Sequence, residues 1–301
     1  SESNNMVLKG ILNSGDHFIT SSYEHPAILE ILPYLKSNNI QTSIVDPDEN
    51  GIIQPSTLKK MFQKNTKLVS IMYVNNELGT INPINEISTI VKNNKILFHT
   101  DAVQALGKVP IDMDNCSIDF LSMSAHKLYG PKGVGALFIR SGCKLSPLIL
   151  GGNQESNLRA STENIIGIAG FGMACEMASN NLTSNNKHIV SLEEYFINCL
   201  NDANIKFKIN GSNRIAGVFN LTFPKINGKM LVMQLDIVGV GISFGAACSS
   251  GTVKPSNMLL NMGLKEEDAL SSVRISFGKI HSRSDINFVV NSLRDIIRNQ
   301  N

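Results

Sequence analysis

The stretch Ser122–Gly135, SMSAHKLYGPKGVG, places Lys127 at the mouth of a glycine-rich turn between two apolar runs, IDFLSM before it and GVGALFI after it. Lysines ordinarily occupy solvated faces, so one that closes a turn between strands points to amine chemistry. A carboxylate shares the setting: Asp101 follows the apolar run KILFHT. Each residue alone has an ordinary reading, the lysine as a surface group and the acid as a helix cap. Together, an acid and a lysine at adjacent strand ends match the needs of pyridoxal phosphate. The amine can bond the cofactor's aldehyde carbon, and the carboxylate can keep the pyridine nitrogen protonated so that the ring draws in electrons.

Other residues fit the same ligand. Ser124 and His126 can donate to a phosphate, and Gln104 can bond the ring hydroxyl. His25, between the run HFITSS and a helix pattern, can stack on an aromatic ring or cap the helix. Asn75, Asn76 and Glu77 follow the run KLVSIMYV and belong to the same rim. His17, His99, His188 and His281 have no such company and read as structural. GPKGVG lacks the spacing and the following Ser or Thr of a phosphate loop, so Lys132 reads as an exposed turn residue. Cys248 sits in SFGAACSSGTVKPS, a run of small residues between a strand and a helix. It is either a thiol available for nucleophilic work or a small residue accepted in a tight turn.

The elements that must position these groups alternate. Residues 17–22, QTSIVD, KLVSIMYV and KILFHTDA read as strands; 25–38, PSTLKKMFQK and INEISTIVKNN read as helices. Such alternation implies βαβ units and a mostly parallel sheet covered on both faces, whose ligands bind beyond the carboxyl ends of the strands. IDFLSMSA and GVGALFIR are too close for a crossover helix and predict an antiparallel pair. Beyond residue 183 comes a long helix, then IKFKI, AGVFNLTF, VGISFG and SVRISFG as strands among helices, an α+β pattern.

With 301 residues, 42% hydrophobic and 17% charged, the chain suits one large domain and a smaller one. A net charge of +2 gives no reason to invoke nucleic acid or an anionic membrane, and no apolar run is long enough to span a bilayer. The five cysteines form no CxxC pair, which argues against a zinc site, and their odd number and long spacing against a disulfide framework. The expectation is a reduced, cytoplasmic protein without a metal, in which Cys175 and Cys199 lie inside helical cores.

Five stretches in order along the chain, YEHPAILE, YVNNELGTINPI, HTDAVQALGKVPID, SMSAHKLYGPKGVGALFIR and GAACSSGTVKPSNMLLNMGL, resemble the cysteine desulfurases, class V aminotransferases of the fold-type I pyridoxal phosphate group. The resemblance implies an α/β fold: a large cofactor-binding domain over residues 1–183 with a mostly parallel seven-stranded sheet, and a smaller α+β domain over 184–301 carrying the cysteine loop of the group I branch. It implies that Lys127 holds the cofactor and moves protons, that Asp101 pairs with the pyridine nitrogen, and that Gln104 bonds the ring oxygen. His25 would stack on the ring and assist proton transfer. Ser1, Ser124 and His126 would bind phosphate, with Thr162 reaching the phosphate of the neighbouring subunit in a homodimer. Asn76, at the cofactor, and Arg274 in SVRISFG would hold the carboxylate of the substrate, L-cysteine. Cys248 would take the sulfur as a persulfide, release alanine, and pass the sulfur to an acceptor such as an iron–sulfur scaffold protein.

Three departures from the family pattern stand out. Family members carry a further segment before the position of Ser1, which itself replaces a usual threonine. Ser161 in RAST stands where the family has glycine, which predicts strain at a left-handed backbone position. QESNLR lacks one of the basic residues common before Arg159. A selenocysteine lyase or another class V lyase or aminotransferase would keep the same cofactor; a non-catalytic partner subunit or incomplete fragment would not need it.

Overall fold

A computed structural model describes residues 1–245 and 255–300, so Cys248 lies outside the described residues. The chain forms two compact units. The first comprises Ser1–Pro47, Ile53–Asn75 and Asn82–Asn180; the second comprises Asp48–Ile52, Asn76–Ile81 and Asn181–Asn301. A single cut near residue 183 therefore misses two short excursions. These belong to the second unit because their backbone bonds there: Ser212 N–H donates to Asn50 O at 3.0 Å and Ile81 N–H to Asn213 O at 2.8 Å.

In the first unit the apolar runs become β1 (His17–Ser21), β2 (Gln41–Val45), β3 (Thr66–Ser70), β4 (Leu97–Asp101), β5 (Phe120–Ser124) and β6 (Gly135–Ile139). They form a six-stranded sheet in the order β2-β1-β3-β4-β5-β6. The first five are parallel and β6 is antiparallel to β5. A seventh strand has no counterpart among the described residues, because the stretches between these six runs fold as helices or turns. The helix expected over 25–38 is two pieces, α2 (Pro26–Leu29) and α3 (Leu32–Ser37). Pro33 lacks the N–H that would bond back to residue 29, and its ring crowds that carbonyl.

α1 (Glu2–Ile11) lies on one face of the sheet. Its Val7, Leu8 and Ile11, with Ile28 and Leu35, pack on Phe18, Leu68 and Phe120. Leu97 packs against the same cluster. The strand period of two then puts His99 and Asp101 on that face as well. His99 accordingly lies in a buried polar row, its Nδ1 2.7 Å from Ser70 Oγ and its Nε2 3.0 Å from Ser122 Oγ. Burial pushes its pKa down to about 4, against the pull of Asp101, so it crosses neutral pH uncharged.

The second unit holds an antiparallel sheet of β7 (Lys208–Asn210), β8 (Val218–Thr222) and β9 (Ser272–Ser276). It is packed by α8 (Leu182–Asp202), α9 (Gly228–Ile237) and α12 (Arg283–Gln300) around Phe196, Phe219, Leu231, Val273 and Leu293. VGISFG is not a strand; it makes one isolated bridge, Ser243 to Arg274. Gly239, just before it, and Gly245, its last residue, take positive φ, +85° and +65°, which confines the extended backbone to a short piece.

Candidate active site

Lys127 lies in a single 3₁₀ turn, Ala125–Leu128, directly after β5. The turn is anchored by its apolar members: Ala125 and Leu128 are buried against Phe171 and Ala174, while His126 and Lys127 are exposed. Tyr129 closes the turn in the left-handed conformation, and Gly130 N–H donates to Ala125 O at 3.0 Å. A side chain at 130 would press on that same carbonyl and on Ala174, each 3.0 Å from a Cβ placed there. The glycine-rich spacing that marked the stretch therefore serves the close approach of the turn to its helix. Among the described residues no hydrogen bond or ion pair engages the Lys127 ammonium.

Asp101 ends β4 and is 6% exposed. Its Oδ1 accepts the Val103 N–H at 3.0 Å, an Asx-turn bond that opens the turns over residues 103–108, so the acid caps a turn where a helix was expected. Its Oδ2 accepts from Asn4 Nδ2 at 2.7 Å. Sequence reasoning missed Asn4. The signal was present: Asn4, Leu8 and Ile11 share one face of α1, so a polar side chain sits where the helix buries itself. Asn4 Oδ1 is buried and without a partner among the described residues. No cation among those residues neutralises Asp101, so the site holds a braced carboxylate whose remaining lone pairs suit one more donor.

His25 is the N-cap of α2, its Nδ1 accepting the Ala27 N–H at 3.1 Å. That bond leaves the proton of the neutral ring on Nε2. Burial lowers its pKa; the Asp101 charge opposes this, and the N-terminal ammonium and then the Lys127 charge add to it. Both readings of His25, cap and cofactor-facing ring, are thus compatible in one side chain. Asp101 and Lys127 both act on the same imidazole.

Glu24, beside His25, was not anticipated either, because nothing in YEHP marks the acid as buried. It is 4% exposed. Its Oε1 accepts from Ser21 Oγ at 2.5 Å and from Met72 N–H at 2.8 Å, tying the ends of β1 and β3 together. Burial, with a smaller push from Asp101 and against both hydrogen bonds, raises its pKa from 4.5 to about 8. A raised folded-state value means that Glu24's contribution to stability is whole below the unfolded value of 4.5 and is lost as pH rises through about 8. Glu24→Gln cannot titrate. In urea unfolding, the variant should gain on the wild type by on the order of 2–4 kcal/mol between about pH 5 and pH 8.5. A difference that stays constant over that range would show that the carboxyl titrates normally.

The remaining expected ligands of this unit fall as follows. Gln104 offers its amide N–H groups, since its carbonyl oxygen already accepts from Lys108 Nζ at 2.7 Å. Ser124 Oγ and His126 Nδ1 pair at 2.8 Å. The His126 pKa is lowered by partial desolvation and then by Lys127 and Lys132. Ser1 is the N-cap of α1, but its hydroxyl makes no cap bond and is available to a phosphate. Thr162 is exposed in the stretch before α7 (Ile165–Asn180). Ser161 has φ +89°, the left-handed position anticipated where relatives use glycine. Holding serine there costs on the order of 1–2 kcal/mol.

In the second unit, Arg274 lies on β9. Its Nη1 donates to the backbone oxygen of Asn76 at 2.9 Å and its Nη2 to Ser243 Oγ at 3.2 Å. Cys116, Cys143, Cys175 and Cys199 are free thiols and partly buried. Burial and Asp119 push the Cys143 thiol up to about 11, and burial raises Cys175, so both are poor nucleophiles.

The first unit's donor set fits pyridoxal phosphate on its own chemistry: an uncompensated buried carboxylate for a ring N–H, an amide for a phenolic oxygen, an unengaged amine, and hydroxyls with an imidazole for phosphate. The class-V aminotransferase family model matches residues 1–289. The cysteine desulfurase IscS of Dictyoglomus turgidum is 42% identical over 302 residues, covering 98% of this chain and 77% of that protein. That of Methanosarcina thermophila is 40% identical over 303 residues, covering 99% and 75%. Among solved structures, a NifS-like protein matches with a TM-score of 0.91 at 33% identity, over 99% of this chain and 80% of its own. SspA in complex with cysteine matches with a TM-score of 0.79 at 35% identity, over 93% and 80%. Identity of this order along nearly the whole chain, on a fold whose neighbouring strands β4 and β5 lead to the acid and the lysine, makes the protein a member of the class-V aminotransferases and, within them, of the pyridoxal phosphate-dependent cysteine desulfurases.

Proposed function

We propose that this protein removes sulfur from L-cysteine, each residue of the site taking a separate share of the work. When bound, pyridoxal phosphate supplies an electron sink next to the substrate's α-carbon, which loosens the bond from the β-carbon to sulfur. Lys127 holds the cofactor and carries protons. Asp101, braced by Asn4 and the Val103 N–H, accepts the ring N–H. Gln104 donates to the ring oxygen, and Ser1, Ser124 and His126 hold the phosphate. His25 lies on the ring and exchanges a proton through its Nε2. Arg274 and Asn76 hold the substrate carboxylate, for which a guanidinium fork offers two parallel bonds. The Cys248 thiol takes the sulfur: cysteine plus thiol becomes alanine plus persulfide, with no other reactant consumed. The observation that carries this reading is the buried Asp101 carboxylate, braced by Asn4 and Val103 and unpaired by any described cation, at the end of the strand beside the one that leads into the Lys127 turn.

Assembly and destination are part of the proposal. α7 exposes Ile165 (71%), Ile166 (88%), Met173 and Met177. An apolar helix face of that kind calls for a cover, and we assign it to a second copy of the chain, which would bring Thr162 to the partner's phosphate. The free thiols favour a cytoplasmic setting, and no helix among the described residues is long and apolar enough to cross a membrane. The acceptor of the persulfide sulfur would be a protein thiol, such as that of an iron–sulfur scaffold. The test is an assay of alanine and sulfide from L-cysteine with a reductant present. Cys248→Ala should keep the bound cofactor and lose about a hundredfold in sulfide release. Full-rate release by that variant would eliminate the persulfide route and favour a lyase of another kind.

A further inference from the structure

Glu77 has no part in the chemistry assigned above, yet it stands in the second unit beside an arginine and a hydroxyl with separate duties. It is largely buried. Burial raises its carboxyl above the ordinary range, while the Ser256 hydrogen bond and the Arg274 charge pull it back. Ser256 Oγ donates to Glu77 Oε2 at 2.9 Å. Arg274 Nη1 is fastened to the carbonyl of Asn76, the preceding residue, and Arg274 Nη2 to Ser243 Oγ. Ser243 and Arg274 also exchange both backbone bonds, at 3.0 and 2.7 Å. Ser243 and Ser256 lie in sequence on either side of residues 246–254, which include Cys248. Glu77, and an arginine bonded to the carbonyl of its neighbour Asn76, thus bond Ser256 and Ser243, described residues on either side of residues 246–254.

We propose that Glu77 is a positioning residue with two tasks: through Ser256 it fixes the chain on the C-terminal side of Cys248, and through its carboxylate it steadies Arg274 for a substrate carboxylate. The proposal rests on the roles assigned to Cys248 and Arg274 under the desulfurase reading. The tasks are chemically separable. Glu77→Gln keeps an acceptor for Ser256 and removes the charge that Arg274 feels. Ser256→Ala removes the tether and keeps the charge. Glu77→Ala removes both.

Two measurements on the cofactor-loaded full chain tell them apart. The first is the ratio of kcat/KM for cysteine to that for cysteamine, which lacks the carboxylate. The second is the rate at which iodoacetamide alkylates Cys248, read by mass spectrometry without substrate. Glu77→Gln should lower the ratio by about fivefold and leave alkylation within about twofold. Ser256→Ala should change alkylation by about threefold or more and leave the ratio within about twofold. Glu77→Ala should do both. Changes that follow the melting temperature alone, a rise of the ratio in Glu77→Gln, or no change in either single-task variant would overturn the proposal. Wild-type protein that makes no alanine from cysteine would instead overturn the desulfurase roles, and the alkylation series would still decide the Ser256 tether.

Discussion

Lys127→Ala should lose about four orders of magnitude in turnover while folding as the wild type does. The loss follows from chemistry: no second side-chain amine within this unit's assigned site can hold the cofactor and carry the proton. The folding claim follows from the turn. Its stability resides in Ala125 and Leu128, both buried, whereas the Lys127 side chain is exposed and makes no hydrogen bond among the described residues. Truncating such a residue changes stability by no more than about 0.5 kcal/mol. Borohydride reduction should fix cofactor to a peptide containing Lys127 in the wild type and to none in the variant. Lys132, exposed in the same turn region, provides the control, and its alanine variant should be labelled as the wild type is. Retention of more than about a tenth of the activity by Lys127→Ala would end the assignment.

How much of this was legible beforehand depended on period and on neighbours. The six strands and the antiparallel β5–β6 pair follow from apolar runs and the gaps between them, and the long α8 from its spacing. The break between α2 and α3 was also written in the chain, as Pro33, but an apolar pattern continuing through it concealed the proline's effect. Asn4 and Glu24 were harder. Each is polar, and its importance comes from burial against groups remote in sequence: Asn4 meets Asp101, and Glu24 meets Met72. Only the folded sheet brings those partners together. The same holds for Glu77, which reads as one of three polar residues after a strand until Ser256 is found on its carboxylate. Asp101 and Lys127 were legible because two charged residues followed neighbouring apolar runs, a coincidence visible without coordinates. Ser161 was legible only through the resemblance, which puts a glycine at that position, and its φ of +89° gives the physical reason.

The second large effect belongs to Asp101→Asn, expected to cost about a thousandfold in kcat/KM. The amide is nearly isosteric, so the loss isolates charge from shape. Two donors already converge on the wild-type carboxylate, Asn4 Nδ2 and the Val103 N–H. In the variant the new NH₂ group can donate to Asn4 Oδ1, which is buried and without a partner among the described residues, once the Asn4 amide turns over, so stability should change by no more than about 1 kcal/mol. The cofactor's ring nitrogen would lose its anionic partner at the same time, so turnover should fall far more than thermal stability. A pH readout separates this from mere disorder. Asp101 stabilises the charged form of His25, against the burial that lowers its pKa. Removing the anion must therefore lower the His25 pKa further. The imidazole titration, followed by NMR, should move to lower pH in Asp101→Asn and stay unmoved in Lys132→Ala. An upward shift, or wild-type turnover in Asp101→Asn, would mean that this carboxylate serves only as the cap of the chain behind it.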